Sequence, residues 1–196
     1  MPNWCNNFLE LEHEDPSMID RAKKAYAEGK LLEEFVPVPA SLHIVAGSVG
    51  AKGSPEQMAL EAQEEANREA HGYATWYDFC VNEWGTKWDV GGDDSFCDVN
   101  GPNAVTLVFD SAWSPPINAM EKFIDLGFKV TLYYYESGMC FAGVFNENGD
   151  DYYELGEMSA DEVEKEIPEE LDIKFCISET MREWEEENAE EEAEDE

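Results

Sequence analysis

Tryptophans around one lysine are the residues in this sequence best suited to bind a ligand. The segment 84–89 reads Trp-Gly-Thr-Lys-Trp-Asp, and another tryptophan follows at position 113. Flat aromatic side chains beside a cation can hold a base or a nucleotide. The residues predicted to line such a pocket are Trp84, Lys87, Trp88, Asp89 and Trp113. The competing interpretation places the rings in the core, with their N–H groups satisfied internally and Lys87 paired with Asp89 or Asp78.

Catalytic side chains are not arranged in any recognisable pattern. The sequence lacks HExxH, P-loop, GxSxG and GxGxxG motifs, and its three histidines share no ligand spacing. Cys5, Cys80 and Cys140 lie in apolar surroundings, where a buried and unreactive thiol is expected. The acidic turns 92–94 and 148–151 do not fit the twelve-residue calcium loop. We therefore predict no catalytic residues, no metal site, no cofactor and no enzymatic activity.

Acidic residues dominate the composition. The 196 residues include 46 acidic and 12 basic ones, for a formal net charge of -34. Residues 151–196 hold 21 acidic and 3 basic residues, so the remaining 25 acidic and 9 basic residues make 1–150 acidic as well. Such a surface cannot neutralise phosphates, which argues against direct binding of nucleic acid, and the negative charge also argues against anionic membranes. An acidic surface would instead attract the basic clefts of proteins that bind nucleic acid. The alternative interpretation is that the charge keeps the protein soluble or is an adaptation to high salt.

Two predicted helices concentrate the exposed carboxylates. One begins at Ser54 and is rich in Ala, Glu and Gln, and the other begins near Ser178 and has few apolar residues after Trp184. We expect these helices to form the partner-binding surface. The residues assigned to it are Glu56, Glu61, Glu64, Glu65, Glu69, Glu183, Glu186, Glu187 and Glu190. A glutamate run at a chain end is also typical of a solvated or disordered tail.

Hydrophobic periodicity and turn signals predict the elements that position these residues. The predicted strands are 4–11, 95–99, 105–112, 128–135, 139–146 and 152–155. The predicted helices are 16–29, 54–70, 76–85 and 114–126, a short one from 159, and one from about 178. Asp15 and Ser54 are predicted to cap the N-termini of the first two. A strand–helix–strand unit that occurs twice in one antiparallel sheet is the ferredoxin-like arrangement.

The predicted fold is therefore α+β, with a ferredoxin-like antiparallel sheet of four to five strands and helices on one face. The ferredoxin-like domain is predicted to span 1–155, with a helical insertion at about 43–72. Residues 156–196 are predicted to form an acidic, partly helical C-terminal extension.

Four segments together resemble the YubB-like ferredoxin-fold family of phage and plasmid proteins. They are Pro2-Asn3-Trp4-Cys5-Asn6-Asn7, Trp76-Tyr77-Asp78 with Trp84-Gly85-Thr86-Lys87-Trp88-Asp89, Phe109-Asp110-Ser111-Ala112-Trp113-Ser114-Pro115-Pro116, and Tyr135-Glu136-Ser137-Gly138-Met139 with Phe141-Ala142-Gly143. The resemblance covers residues 1 to about 148 and departs at Glu83, where the family pattern has Asn. It implies a mobile genetic element and a ferredoxin-like fold, and it implies no reaction, because the family is largely of unknown function.

The sequence thus leads to two functional hypotheses. The first is an acidic phage or plasmid accessory protein that mimics nucleic acid and inhibits a host defence or DNA-binding protein by occupying its basic cleft. The alternative is a protein that binds or sequesters a nucleotide in the tryptophan-rich pocket.

The N-terminus has no signal-peptide pattern, no apolar run approaches about 18 residues, and the five cysteines lack CxxC spacing. We therefore expect the protein in the cytoplasm of a bacterial host, with no membrane contact; the sequence leaves its oligomeric state open.

Overall fold

The protein has an α+β fold built on one antiparallel sheet. The computed structural model describes residues 3–92 and 96–194, and the side chains of 3–92 and 96–189. Six strands lie in the described residues, in the spatial order β2-β3-β1-β4-β5-β6. Their bounds are β1 Trp4–Glu12, β2 Phe96–Val99, β3 Ala104–Ala112, β4 Lys129–Glu136, β5 Phe141–Asn146 and β6 Gly149–Glu154. The sheet is wider than the four to five strands we expected, because 149–154 pair with β5 as a full strand.

Turn chemistry explains the last two strands. β5 and β6 are joined by a two-residue loop, and Gly149 at its exit has φ +121°, a conformation that glycine adopts without steric cost. The side chain of Asn146 accepts a hydrogen bond from the Asn148 amide at 2.8 Å and closes the turn.

The sequence also contains an acidic turn at 92–94, and its residues 93 and 94 lie outside the described residues. Ser95, the first residue of the predicted strand 95–99, lies outside them as well.

Eight α-helices lie in the described residues. Their bounds are α1 Pro16–Ala27, α2 Leu31–Phe35, α3 Pro55–His71, α4 Trp76–Phe79, α5 Ile117–Asp125, α6 Ala160–Glu166, α7 Glu169–Phe175 and α8 Ile177–Glu194. The predicted caps are confirmed, because Asp15 accepts a hydrogen bond from the Ser17 amide at 2.9 Å and Ser54 accepts one from the Gln57 amide at 3.2 Å. None of these helices has both the length and the apolar character of a membrane span.

One face of the sheet carries the larger core, which we call the first core. Strand β1 lies between β3 and β4, and Leu9 faces Leu107 on one side and Leu132 on the other. All three side chains are fully buried. Alternate residues of each strand point to this face, where α1 and α5 contribute buried residues such as Ile19 and Phe123.

The opposite face carries a second core, and this corrects the expectation of helices on one face only. Tyr133, Ala142 and Val144 pack there against Val163 of α6, Leu171 of α7 and Ile177 of α8. An antiparallel sheet has apolar residues on both faces when both are covered, and β4 and β5 have them. The predicted boundary at residue 155 stays a prediction, although the helices that follow it pack directly on the sheet.

Candidate functional site

The structure separates the five residues predicted to line a pocket. Trp84 lies in the first core at 4% exposure, and its indole N–H donates a hydrogen bond to the Val36 carbonyl at 2.8 Å. This is the core interpretation of a tryptophan, with its polar atom satisfied internally. The cavity beside Lys87 and Trp113, described below, does not include Trp84 in its lining.

Asp89 has a structural role as well. Its carboxylate accepts hydrogen bonds from the amides of Leu32 at 2.7 Å, Glu33 at 2.9 Å and Val90 at 2.8 Å. Two of these amides open α2, where a helix leaves its N–H groups without intrahelical partners. Burial raises the pKa of Asp89, and the three hydrogen bonds act in the opposite direction. The carboxylate is used to hold α2 and is not free for a ligand.

Lys87 lies among three aromatic rings. Its ammonium nitrogen is 4.5 Å from the ring centroid of Trp88, 5.2 Å from that of Trp113 and 5.7 Å from that of Tyr77. These distances are within the range of cation–π attraction. The expected ion pair with Asp89 or Asp78 does not form; the ion pairs of the described side chains do not include Lys87. Asp78 instead accepts hydrogen bonds from the backbone and side chain of Thr75.

Trp113 has a backbone conformation that is rare for its residue type. Its φ is +69°, and its amide donates a hydrogen bond to the Asn3 carbonyl at 2.9 Å. Thr86 holds the preceding carbonyl of Ala112 at 3.0 Å. A residue other than glycine in this region costs about 1–3 kcal/mol and persists only where its surroundings impose it. The result is an indole that is 43% exposed at the end of β3.

A cavity of about 490 Å³ lies beside Lys87 and Trp113. Tyr77 and Arg68 also line it, and sequence reasoning did not assign either of them to a pocket. Arg68 pairs with Glu64 at 3.4 Å and Glu65 at 3.2 Å. The aromatic motif Trp76-Tyr77-Asp78 could have indicated that Tyr77 lines this cavity. Arg68 could not be assigned to it from the sequence, because it is 19 positions before Lys87 and in a different predicted helix from Tyr77.

The cysteines in the first core are sealed from solvent. Burial raises the pKa of Cys5 and of Cys80 to about 12. Cys140 was expected to be buried too, but it is exposed, because it follows the turn at the end of β4 and has φ +54°. Among the described side chains, no three histidine, cysteine or carboxylate groups come together where they could hold a metal ion.

The first acidic surface lies on α3. Its side chains are mostly exposed, and only Asn67 is buried, donating hydrogen bonds to the carbonyls of Ser41 at 3.1 Å and Ala74 at 2.9 Å. Of the carboxylates predicted to be exposed on this helix, Glu64 is half-buried beside Arg68. The others are exposed: Glu56, Glu61, Glu65 and Glu69.

The second acidic surface is formed by α6 and α8 together. Arg182 of α8 bridges to Asp161 at 3.2 Å and Glu164 at 2.8 Å on α6. The Ala160 amide donates to Glu185 at 2.9 Å, so the start of α6 lies beside the middle of α8 and the two helices run antiparallel. The predicted residues Glu183, Glu186 and Glu187 are exposed here, and the side chain of Glu190 lies outside the described part. The two acidic surfaces belong to different faces of the sheet, because α8 packs on the second core and α3 leads into Tyr73 and Trp76 beside the first.

Comparison with known proteins gives little for this chain. No family model and no curated protein matches its sequence. Among solved structures, it is similar to protein api92 from Yersinia pseudotuberculosis, which is described by the family model DUF1281. That similarity has a TM-score of 0.41 and 12% sequence identity, and it covers 80% of this chain and 99% of the other. A likeness at this level supports no conclusion about the function of either region described above.

Proposed function

We propose that this protein is an acidic accessory protein of a phage or plasmid that mimics nucleic acid. It would act in the cytoplasm of a bacterial host by occupying the basic cleft of a defence or DNA-binding protein. The observation that carries the proposal is the acidic layer of α6 and α8. In α6 and the part of α8 up to residue 189 there are nine acidic and two basic residues, and one of the two basic residues, Arg182, is engaged in ion pairs within the chain.

The charge spacing of α8 supports mimicry. Carboxylates stand at positions 179, 183, 185, 186 and 187. With a rise of 1.5 Å per residue, they span about 12 Å of helix axis, or roughly 3 Å per charge. A duplex has one charge per about 1.7 Å, and each of its strands has one per about 3.4 Å. The helix therefore carries charge at about the density of one nucleic-acid strand.

The strand order supports the ferredoxin-like part of the proposal. The first four strands lie in the order β2-β3-β1-β4, all antiparallel to their neighbours, with α1 between β1 and β2 in sequence and α5 between β3 and β4. Each strand–helix–strand unit thus encloses one intervening strand, as in the split βαβ pattern. β5 and β6 would be an addition to this scaffold.

Affinity capture from host lysate followed by competition tests the proposal. The immobilised protein should retain a basic nucleic-acid-binding protein, and a 20-base-pair duplex should displace it from the same cleft. Binding should weaken steeply as NaCl rises from 50 to 200 mM, because attraction between opposite charges is screened. Retention that ignores both duplex and salt would show that no basic cleft is occupied.

Charge-neutral variants locate the surface. The triple variant E183Q, E186Q and E187Q removes three charges from α8, and the triple variant E56Q, E61Q and E65Q removes three from α3. The matched control E28Q, E121Q and D125N removes three exposed charges elsewhere. We expect a loss of affinity for one or both helix variants that exceeds the loss for the control. Equal losses in all three would mean that only net charge matters, which is the solubility interpretation.

A second candidate function, nucleotide binding, is favoured by the position of Lys87. Its ammonium lies among three rings and beside a cavity, without a carboxylate partner among the described side chains. Calorimetric titration with a nucleoside monophosphate tests this function. K87M should abolish binding while the melting temperature stays unchanged, and K122M, at an exposed lysine, is the matched control. Unfolding of K87M instead would assign Lys87 to the packing of its three rings.

A further inference from the structure

The second face of the sheet is only half covered, and the uncovered part forms a groove of about 770 Å³. We call it the sheet groove. Its floor is the even-numbered side of β1 and β3, where Asn6 lies opposite Asp110 and Phe8 lies opposite Val108. Its walls are the segment 88–91 on one side and the end of α7 on the other. Phe175 packs against the second core on one side and lines the groove on the other, so it marks the edge of the covered area. On the groove side of Phe175, the side chains of β1 and β3 are open to the groove.

Exposed aromatic side chains line this groove. Trp4 is 46% exposed, Trp88 is 40% exposed and Phe96 of β2 is 60% exposed. The indole rings of Trp4 and Trp88 lie with their centroids 6.0 Å apart and their planes tilted by 37°. Large apolar side chains grouped in a concave surface are typical of an interaction site, whereas isolated ones need no explanation.

The free charge in the groove is negative. Asp110 is exposed and accepts a hydrogen bond from the Asn6 side chain at 2.6 Å, and no ion pair among the described side chains includes it. The basic residue of the groove, Lys174, is already neutralised. Its nitrogen lies 2.9 Å from Glu10 and 3.4 Å from Glu170. A ligand would therefore meet aromatic rings and one available carboxylate.

This combination fits a guanidinium group. Arginine stacks on aromatic faces and donates hydrogen bonds to carboxylates, and it is more weakly hydrated than lysine. Trp4 and Asp110 are diagonal neighbours on paired strands, which places their backbones roughly 7–8 Å apart. A second copy of this chain fits poorly, because it would bring another net charge of -34 to the contact.

We propose that the sheet groove binds an arginine side chain on an exposed segment of the basic partner, with the guanidinium against the indole of Trp4 and facing the Asp110 carboxylate. This inference rests on the proposed function and deepens it. The acidic helices would attract the partner over a distance, and the groove would select arginine over lysine once the two proteins are in contact.

Two peptides of equal charge test the groove separately from the acidic surface. The probes are fluorescein-labelled (Gly-Ser-Arg)4 and (Gly-Ser-Lys)4, and their affinities are measured by anisotropy at 50 mM NaCl. We expect the full chain to bind the arginine peptide about fivefold more tightly, the range of one partly exposed cation–π contact. W4A should bring this ratio close to one. D110N keeps an acceptor for Asn6, and it should weaken the arginine peptide more than the lysine peptide.

Y152A is the matched control, because Tyr152 is 52% exposed on β6 at the opposite edge of the same sheet. It should leave the ratio unchanged. F96A is a second groove variant, for use if W4A melts at a lower temperature than the parent chain. The proposal would be overturned if both groove variants left the ratio of arginine-peptide to lysine-peptide affinity unchanged. It would also be overturned if sedimentation showed that the parent chain is a dimer and that F96A dissociates it.

The same measurements distinguish failure of the groove from failure of the proposed function. The α8 triple variant E183Q, E186Q and E187Q should weaken both peptides by the same factor and preserve their ratio. If that variant weakens binding while W4A leaves the ratio unchanged, the acidic surface stands and the groove does not. If the ratio depends on Trp4 but the α8 variant binds both peptides as well as the parent, the groove stands and the helix surface does not.

Discussion

The two faces of the sheet differ in how completely they are covered. On the first face, helices from several parts of the chain seal a core that contains Leu9, Leu132 and Phe123 at zero exposure. On the second face, α6 to α8 cover β4, β5 and the middle of β1, and they leave β2, β3 and the start of β1 open. The first face holds the larger core, and the second is divided between a packed part and the open sheet groove.

The difference follows from the helices that each face receives. α5 has an apolar side made of Ala119, Met120 and Phe123, and all three are fully buried. α8 buries Ile177 at its start but exposes 66% of Trp184, and its later turns contain mainly glutamate. A helix with little apolar surface gains little by lying on a sheet, so it projects its charge into solvent. The second acidic surface, formed by α6 and α8, therefore belongs to the face that is only partly sealed.

The largest expected effect is in the first core. L132A removes a fully buried side chain that lies opposite Leu9 and Phe145 on the neighbouring strands. We expect a loss of about 3–5 kcal/mol in the free energy of unfolding, because the cavity cannot collapse between paired strands. Urea titration followed by far-UV circular dichroism measures it. A loss below about 1 kcal/mol would mean that the first core is not what holds the fold.

A smaller loss is expected in the second core. L171A also removes a fully buried side chain, but Leu171 lies on the seven-residue helix α7, which can shift into the space more easily than a strand paired on both sides. We expect about 2–3 kcal/mol, with faster hydrogen exchange confined to α6–α8. Exchange measured by mass spectrometry after peptic digestion separates this local opening from global unfolding. If β1 and β4 lost protection to the same extent, the two faces would be one cooperative unit.

The titration of Asp89 should produce a smaller, pH-dependent effect. Burial raises its pKa above the ordinary value of 3.8, so the folded state binds the proton more tightly than the unfolded state does. Its stabilising contribution is present below pH 3.8 and is lost as pH rises through the folded pKa. The difference in unfolding free energy between the parent chain and D89N should therefore fall as pH rises from 3.5 to 7. A constant difference would show that the carboxylate stays hydrated.

The cysteines test the comparison without changing stability. Cys5 and Cys80 lie in the first core, whereas Cys97, Cys140 and Cys176 are exposed. At pH 8, a thiol reagent such as DTNB should modify three of the five cysteines in the native protein and all five after denaturation, because buried thiols with raised pKa values do not form thiolates. Rapid modification of all five in the native state would mean that the first face opens readily.

Sequence reasoning located the paired strands and most helices, because alternation and turn residues are local signals. The segments around β3, β4 and β5 agree with the predicted strands to within two residues. The caps at Asp15 and Ser54 were predicted for the same reason, since a capping side chain binds an amide two or three residues ahead. The placement of α6–α8 was missed, because periodicity shows that a helix has an apolar side but not which surface covers it.

The candidate sites were predicted less completely. Trp84 and Trp88 are only four positions apart, yet their surroundings differ. Trp84 is buried and donates a hydrogen bond to the Val36 carbonyl, whereas Trp88 is 40% exposed and lies beside Trp4. Lys87 was expected to pair with a carboxylate, and it lies among rings instead because Asp78 and Asp89 are used by backbone amides. Such competition among partners depends on distances that no local pattern contains.

Residues close together in the chain are enough to predict the acidic charge, the alternating strands, the helix caps and the location of the glutamate-rich segments. Only the folded chain shows which tryptophans are buried, which carboxylates remain free, and that Trp4, Phe96 and Asp110 share one groove. These features depend on the pairing of β1 with β3, which joins residues about a hundred positions apart. Burial, ion pairing and groove formation follow from that long-range pairing.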